Sequence, residues 1–534
     1  MGRLLIGIVF LAALVAAPPA HAAQINVNTT VDELNNDGDC SLREAVKSAK
    51  DDLSPDACEP GLGADTIIVP AGTYNLLSQL IIQDNEVTVD GAGQASTIIA
   101  GGNVSVIGPA VPDPVWIQDL TVRDSPGTGI LNSGHLTLDH VTATANGFSG
   151  VSGANTILDS SIDANSGSGI SGGDIVIMNS TVRDNGGLGV QIGGNATITG
   201  STISGNEDVG ILNFNALIVT DSTISGNTSD FGGGIRNFAV DSQTATITLD
   251  GVTVSGNSAT GGGGGIASVG GGVSNVTISE STIAGNQAPG GGGIAGQGTT
   301  TIENSTISGN SATAGEGGGI SNGSGAPTSV MTVTNSTVSG NDATGEGGGI
   351  LSGATTSLNF TTVADNTTTT GGGGLNVGGG AGGIPVTLHG TILADNTGPH
   401  EDCFGAVTSQ GYNLIESGAA CEPIGGDTTG NVLGQDPLLD PLANSGGPTE
   451  THALMTLGSA ALNSGGPSCP ATDQRGVLRP QGAGCDMGAF EREAPPETTI
   501  TSGLGEGATI SNPSPSFGFS SVEPGATFEC KVDS

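Results

Sequence analysis

Six residues recur through the middle of this 534-residue chain and leave little choice of fold. Ser201-Thr-Ile-Ser-Gly-Asn206 returns at 222–227 and 305–310, with near copies at 252–257, 281–286 and 336–341. Between the copies stands Gly-Gly-Gly-Ile, ending at Ile235, Ile266, Ile294, Ile320 and Ile350. A unit repeated every ~20–50 residues cannot bury its apolar face alone, so successive units must stack on one another.

Aligned by column, twelve phrases run from 120–125 to 391–396. Their third column is apolar: Val122, Ala143, Ile162, Val182, Ile203, Ile224, Val254, Ile283, Ile307, Val338, Val363 and Leu393. Their sixth is Ser125 and then Asn146, Asn165, Asn185, Asn206, Asn227, Asn257, Asn286, Asn310, Asn341, Asn366 and Asn396. Alternation of apolar with Thr/Ser and β-branched enrichment predict strands. Parallel stacking makes an all-β fold, a parallel β-helix, in which each column is a ladder rising about 4.8 Å per coil. The Ile/Val column faces inward. The Asn column is expected in a turn whose backbone Asn tolerates, its amides bonding along the stack. Early phrases are 19 to 21 residues apart and later ones 24 to 31. The extra residues are expected in glycine-rich loops.

Glycine, at 95 residues, and an aromatic content of 3% argue against a core of large side chains. Eleven Lys+Arg against 51 Asp+Glu give a formal charge of −40, which repels nucleic acid and anionic membrane. Residues 1–22 read as a secretory leader: Arg3, an apolar run, then Ala20-His21-Ala22 as a small-x-small cleavage site. No later segment reads as membrane-spanning. In an exported chain the local pairs Cys40/Cys58, Cys403/Cys421 and Cys469/Cys485 are expected to be disulfides. Cys530 has no local partner, and the chain is expected to stop inside a further domain.

The expected organisation is a leader at 1–22, an N-terminal cap at 23–63 and β-helix repeats at 64–400. A C-terminal cap at 401–492, a linker at 493–499 and the start of an Ig-like β-sandwich at 500–534 follow. Ser41 is a candidate N-cap with Glu44 in the first turn, and Leu42, Ala45, Val46 and Ala49 form one apolar stripe.

Chemistry is sparse. The lysines are Lys47, Lys50 and Lys531, none after glycine, which excludes a phosphate loop. Gly319-Ile-Ser321-Asn-Gly323 has nucleophile-elbow spacing without a strand–helix context. His135 and His140 read as solvent-facing, and His400-Glu401-Asp402 as a surface turn. No cofactor is expected, although the loop at 32–39 is dense in oxygen ligands suited to Ca²⁺. Polysaccharide cleavage is the enzymatic alternative. It wants paired carboxylates or a base beside cations, yet between Asp65 and His400 the only cations are Arg123, Arg183 and Arg236. Arg183 stands one coil above Asp163, which an ion pair explains. Trp116, Tyr74 and Tyr412 are the only Trp and Tyr.

Three segments resemble known families. Cys40-Ser-Leu-Arg-Glu-Ala-Val46, with the strand and acidic loop before it, resembles the CSLREA domain of secreted bacterial proteins. The glycine and Asn phrases are similar to the polymorphic outer membrane protein repeat, typically GGAI and FxxN, with Gly here for Ala and Ile or Val for Phe. Residues 411–491 resemble the choice-of-anchor Q domain, through Asp436-Pro-Leu438, Gly446-Gly-Pro-Thr449, Thr451-His-Ala-Leu454, Asp473-Gln-Arg-Gly476, Arg479-Pro480 and Cys485-Asp-Met-Gly-Ala-Phe-Glu491. Ser445 and Asn463 depart from that pattern. The tail is similar to bacterial Ig-like repeats. The resemblance implies a right-handed pectin-lyase-like β-helix, exported and fixed to the cell surface. It carries over no catalytic residue; Asp473, Arg475 and His452 are read as a bracing network.

The function expected is a monomeric, surface-associated binding or adhesion-type protein with no catalytic site. Its partner is an extracellular or cell-envelope ligand, glycan or protein, and not nucleic acid.

Overall fold

The computed structural model describes residues 22–83, 86–107, 115–241, 243–323, 328–378, 386–418, 421–422, 424–454, 457–493, 498–502 and 518–521. The leader apart from Ala22, Cys530 and most of the expected Ig-like segment lie outside the described residues. Of that segment, Thr498–Ser502 and Gly518–Ser521 pair antiparallel.

The body is a parallel β-helix. The phrase strands stack in register, Thr202 on Thr223 and Ile203 on Ile224, then Thr223 on Thr253 and Ile224 on Val254. A second ladder is built from the Gly-Gly-Gly-Ile strands, with Ile235 on Ile266 and Ile320 on Ile350. A third, short ladder begins at Thr228–Phe231, where the coils lengthen. The extra residues of the later coils thus form a sheet of their own as well as loops. The Ile/Val column is inside, at 0% exposure from Ile162 to Val363. Each such side chain contributes about 1.5–3 kcal/mol by leaving water.

The Asn column is inside too, and one expectation is corrected: the Asn backbone is not the turn's left-handed residue. The left-handed residue is not Asn but the one before it: Ala145 (φ 53°), Asp184 (54°), Gly226 (64°) and Asp365 (58°). That residue takes the corner, so the Asn side chain can turn inward. Asn206 Nδ2 donates to Asn227 Oδ1 at 2.8 Å, and the Asn206 backbone N–H donates to the same oxygen at 3.1 Å. The pattern is unbroken from Asn146 to Asn396, where Asp402 ends it: its Oδ1 accepts from Asn396 Nδ2 at 3.0 Å. The phrase-opening serines form a parallel hydroxyl ladder, with the N–H of Ser180 donating to Ser201 Oγ and that of Ser201 to Ser222 Oγ.

At the N-terminal end, strand Gln24–Asn26 pairs with Asp65–Val69, and helix Leu42–Asp51 lies over the open core. Ser41 and Glu44 form a reciprocal capping box, and Leu42, Ala45, Val46 and Ala49 are buried. Cys40 is bonded to Cys58.

The segment expected as the C-terminal cap divides in two. Residues 403–433 continue the stack: Leu375 pairs with Cys403, Ile392 with Leu414 and Leu414 with Val432. Residues 440–491 then turn back along the outside of the phrase strands. Their apolar residues Leu454, Ala461, Met487 and Phe490 pack on Ile392, Ala394 and Leu414 in a second core. The outward column is Thr in coil after coil, through Thr362, and changes to Ile392 and Leu414 where this flank needs an apolar seat.

Candidate ligand-binding face

The residues singled out from the sequence mostly serve the frame. The Asn ladder is buried, at most 5% exposed at Asn396, and meets no ligand from solvent. Cys403 is bonded to Cys421 and Cys469 to Cys485. Asp473 and Arg475 pair at 2.8 Å under the Phe490 ring, which lies 3.7 Å from the guanidinium carbon. Arg479 and Glu491 form a second enclosed pair at 3.3 Å. His452 bonds Ser339 Oγ and the Asp440 carbonyl, and burial pushes its imidazole below the usual range. Ser321 lies within a parallel strand, Ile320–Asn322, not at a strand–helix elbow.

His400, Glu401 and Asp402 separate. His400 stacks on Phe404, and Asp402 is 1% exposed. Burial pushes the Asp402 carboxyl up to about 6, against hydrogen bonds that lower it and with Glu416 adding repulsion. His135 and His140 are exposed, and His140 Nδ1 meets Asp139 at 2.8 Å. Arg183 pairs with Asp184 at 3.2 Å and reaches Asp163 at 3.9 Å.

In the loop at 32–39, Asp32 pairs with Arg43, while oxygens of Glu33, Asp37 and Asp39 lie within 4.8 Å of one another. Glu44 and Asp56 form an overlapping group with Asp39. Asp395, Glu416 and Asp436 form a similar acidic group at the other end of the stack. Burial first, then the neighbouring acids, push Asp395 up to about 6.

Two outer surfaces stand out among the described residues. On the phrase strands, Thr202, Thr223, Thr253 and Thr282 stand outward in register, half-buried. On the next three coils the same column, Thr306, Thr337 and Thr362, is covered. Thr306 Oγ1 donates to the Glu450 carbonyl at 2.6 Å, Gln474 Nε2 donates to Thr306 Oγ1 at 2.9 Å, and Thr337 Oγ1 donates to Gln474 Oε1 at 2.7 Å.

The second surface lies on the Gly-Gly-Gly-Ile strands and was not legible as a site. Asn213 pairs with Asn237, which puts Phe214 and Phe238 in one column on adjacent coils. Their rings meet edge to face at 5.9 Å. Arg236, two residues before Phe238 and so on the same face, lies 5.1 Å from the Phe238 ring and 5.9 Å from that of Phe231. Gly261 is bare where the Phe231 ring passes; a Cβ there would stand 2.5 Å from its Cζ. Hollows flank the row. One, of about 460 Å³, is lined by Phe231, Val269, Gln297, Glu316 and Ser321. The other, of about 480 Å³, is lined by Phe214, Asn215, Gln243 and Thr244.

Arg236 differs from the other arginines of the described coils. Arg123 and Arg183 each face a carboxylate. No carboxylate pairs with Arg236 among the described residues, and its Nε is enclosed without a hydrogen-bond partner. The aromatic rings on this face are Phe, not Trp or Tyr. Column alignment of 213 with 237 was the signal available in the sequence.

The family described as right handed beta helix region matches residues 78–229. No curated protein matches the sequence. The A-module of the Azotobacter vinelandii mannuronan C-5 epimerase AlgE6 is similar at 16% identity, covering 76% of this chain and 97% of its own, with a TM-score of 0.39. Pectate lyase Pel9A is similar at 15% identity, covering 88% and 96%, with a TM-score of 0.28. A mannuronic acid specific polysaccharide family 6 lyase from human gut microbiota is similar at 11% identity, covering 65% and 81%, with a TM-score of 0.31. No helix among the described residues is long and apolar enough to cross a membrane.

Proposed function

We propose that this right-handed parallel β-helix is an exported, surface-associated protein that binds a glycan along the Phe214–Phe238–Arg236–Phe231 row without cleaving it. One observation carries the reading. On a chain of net charge −40, the row keeps an arginine unpaired between phenyl rings. An aromatic face receives the C–H face of a sugar ring, and a guanidinium donates to its hydroxyl or acidic substituents. The flanking Asn215, Gln243 and Gln297 add amide donors and acceptors. The leader, the three disulfides and the CSLREA-like segment support export.

The test is a glycan array with the mature protein and with Arg236→Ala and Phe238→Ala. Both variants are expected to lose at least tenfold in affinity with unchanged melting. Undiminished binding in both removes this face as the site.

A cleaving reading has its own support in Asp395, Glu416 and Asp436, whose oxygens lie within 4.8 Å of one another, with one carboxyl raised to about 6. Retaining and inverting pairs are spaced about 5–5.5 and 6.5–9.5 Å apart, so the group is tighter than either. Release of reducing ends or unsaturated products from polysaccharides, lost in Asp395→Asn, would decide for cleavage.

A further inference from the structure

We propose that proteolytic removal of the leader between Ala22 and Ala23 creates an α-ammonium that locks the first coil by pairing with the buried carboxylate of Asp65. Water supplies the cleavage: the Ala22–Ala23 amide is hydrolysed by a leader peptidase, leaving a carboxylate on Ala22 and an ammonium on Ala23.

The bond is placed for it. Ala22 is exposed, and Ala20-His21-Ala22 offers small residues one and three places before the bond. Strand Gln24–Asn26 starts two residues after the bond, and the Ala23 carbonyl already accepts from the Thr66 N–H at 2.9 Å. Ala23 therefore stays fixed in the first coil whichever residues precede it.

The acceptor is waiting. Asp65 is 1% exposed, and its Oδ1 accepts from the Ala23 backbone N at 3.2 Å and from Leu62 N at 2.8 Å. Its Oδ2 is enclosed and has no hydrogen-bond partner. Gly61 leaves room for that oxygen, since a Cβ there would stand 2.7 Å from it. No cation pairs with Asp65 among the described residues. Its charged neighbour is acidic Asp52, and burial first, then Asp52, raises the carboxyl above its usual range. A backbone amide brings one proton and no net charge. An ammonium at the same place brings three protons and the missing positive charge to the carboxylate. The precursor thus holds a buried acid without a counter-ion, and the processed chain does not.

The experiment starts with the intact mass of the exported protein, expected to begin at Ala23; a mature chain beginning elsewhere overturns the proposal. Thermal melts then compare the processed chain with one extended by Gly-Ser before Ala23. The extension is expected to lower the melting temperature by about 2 °C or more. The difference is expected to vanish between the same two chains carrying Asp65→Asn. Should the Asp65→Asn chains fail to fold, titration of the Ala23 amine in the native chain stands in. A pKa above the ordinary ~7.7–8.0 supports the pair, and an ordinary value overturns it. Equal melting of the extended and unextended native chains also overturns it.

Discussion

Gly210 lies against the carboxamide of Asn227: a Cβ on Gly210 would stand 2.7 Å from Asn227 Nδ2 and 2.6 Å from the Gly234 carbonyl oxygen. The same contact recurs between Gly189 and Asn206, and between Gly319 and Asn341. The last glycine of Gly-Gly-Gly-Ile is thus dictated by the Asn ladder through close approach, while the first one is a left-handed turn residue, as at Gly232 (φ 69°). The two phrases of the repeat are one device seen from opposite walls.

Gly210→Ala is therefore expected to destabilise the stack by about 1–3 kcal/mol, since neither backbone nor ladder can yield. Gly173→Ala, where nothing lies within 4 Å of the added carbon, is expected to be neutral within ~0.5 kcal/mol. Urea unfolding midpoints of the two variants check the contrast.

Asn206→Leu removes an acceptor for two Asn185 donors and a donor for Asn227 Oδ1 and the Val182 carbonyl. All are buried, so the expected cost is on the order of 3 kcal/mol. Melting unchanged from the parent would show that the ladder does not carry the stack.

Asp402 sets a pH dependence. Its folded-state pKa, about 6, is above the ordinary 3.8, so the folded chain holds a proton that the unfolded chain has released between those values. Stability from this group is full below pH ~4 and falls as pH rises to about 6, the loss being complete above it. Asp395, also raised to about 6, adds in the same sense. Melting followed from pH 4 to 7 is expected to show a slope that Asp402→Asn reduces.

Gln474→Ala is expected to loosen the flank. The side chain is 1% exposed and bonds Thr306, Thr337, Thr449 and the Glu450 carbonyl. Limited proteolysis is expected to cut within 440–491 earlier than in the parent. Thr223→Ala, on an uncovered part of the same column, should leave the digestion pattern unchanged.

Much of the frame was legible because its period is short and its columns are chemically pure. Ile203 over Ile224 and Asn206 over Asn227 are neighbours by arithmetic once the period is known. The position of the left-handed residue is not legible, since a buried Asn and a turn Asn look alike in a string of letters. The Phe–Arg row is hidden in the sequence for another reason. Phe214, Arg236 and Phe238 belong to no phrase, and composition counted the Phe as sparse rather than as neighbours. The backward turn at 440–491 reads as an end cap in the sequence, because a chain leaving a solenoid carries no local sign of which surface it will meet.

By itself the sequence determined the coil: its strands, its buried columns, the glycines at its corners and the leader-like start. These follow from local alternation and from like residues stacking on like, which need only neighbours one period away. The tertiary structure alone decided which Thr of one column stay open and which are covered, and that Arg236, among the arginines of the described coils, has no acid paired with it. It also decided that Asp65 lies beneath the Ala23 nitrogen. Those outcomes depend on distances between residues that no period connects.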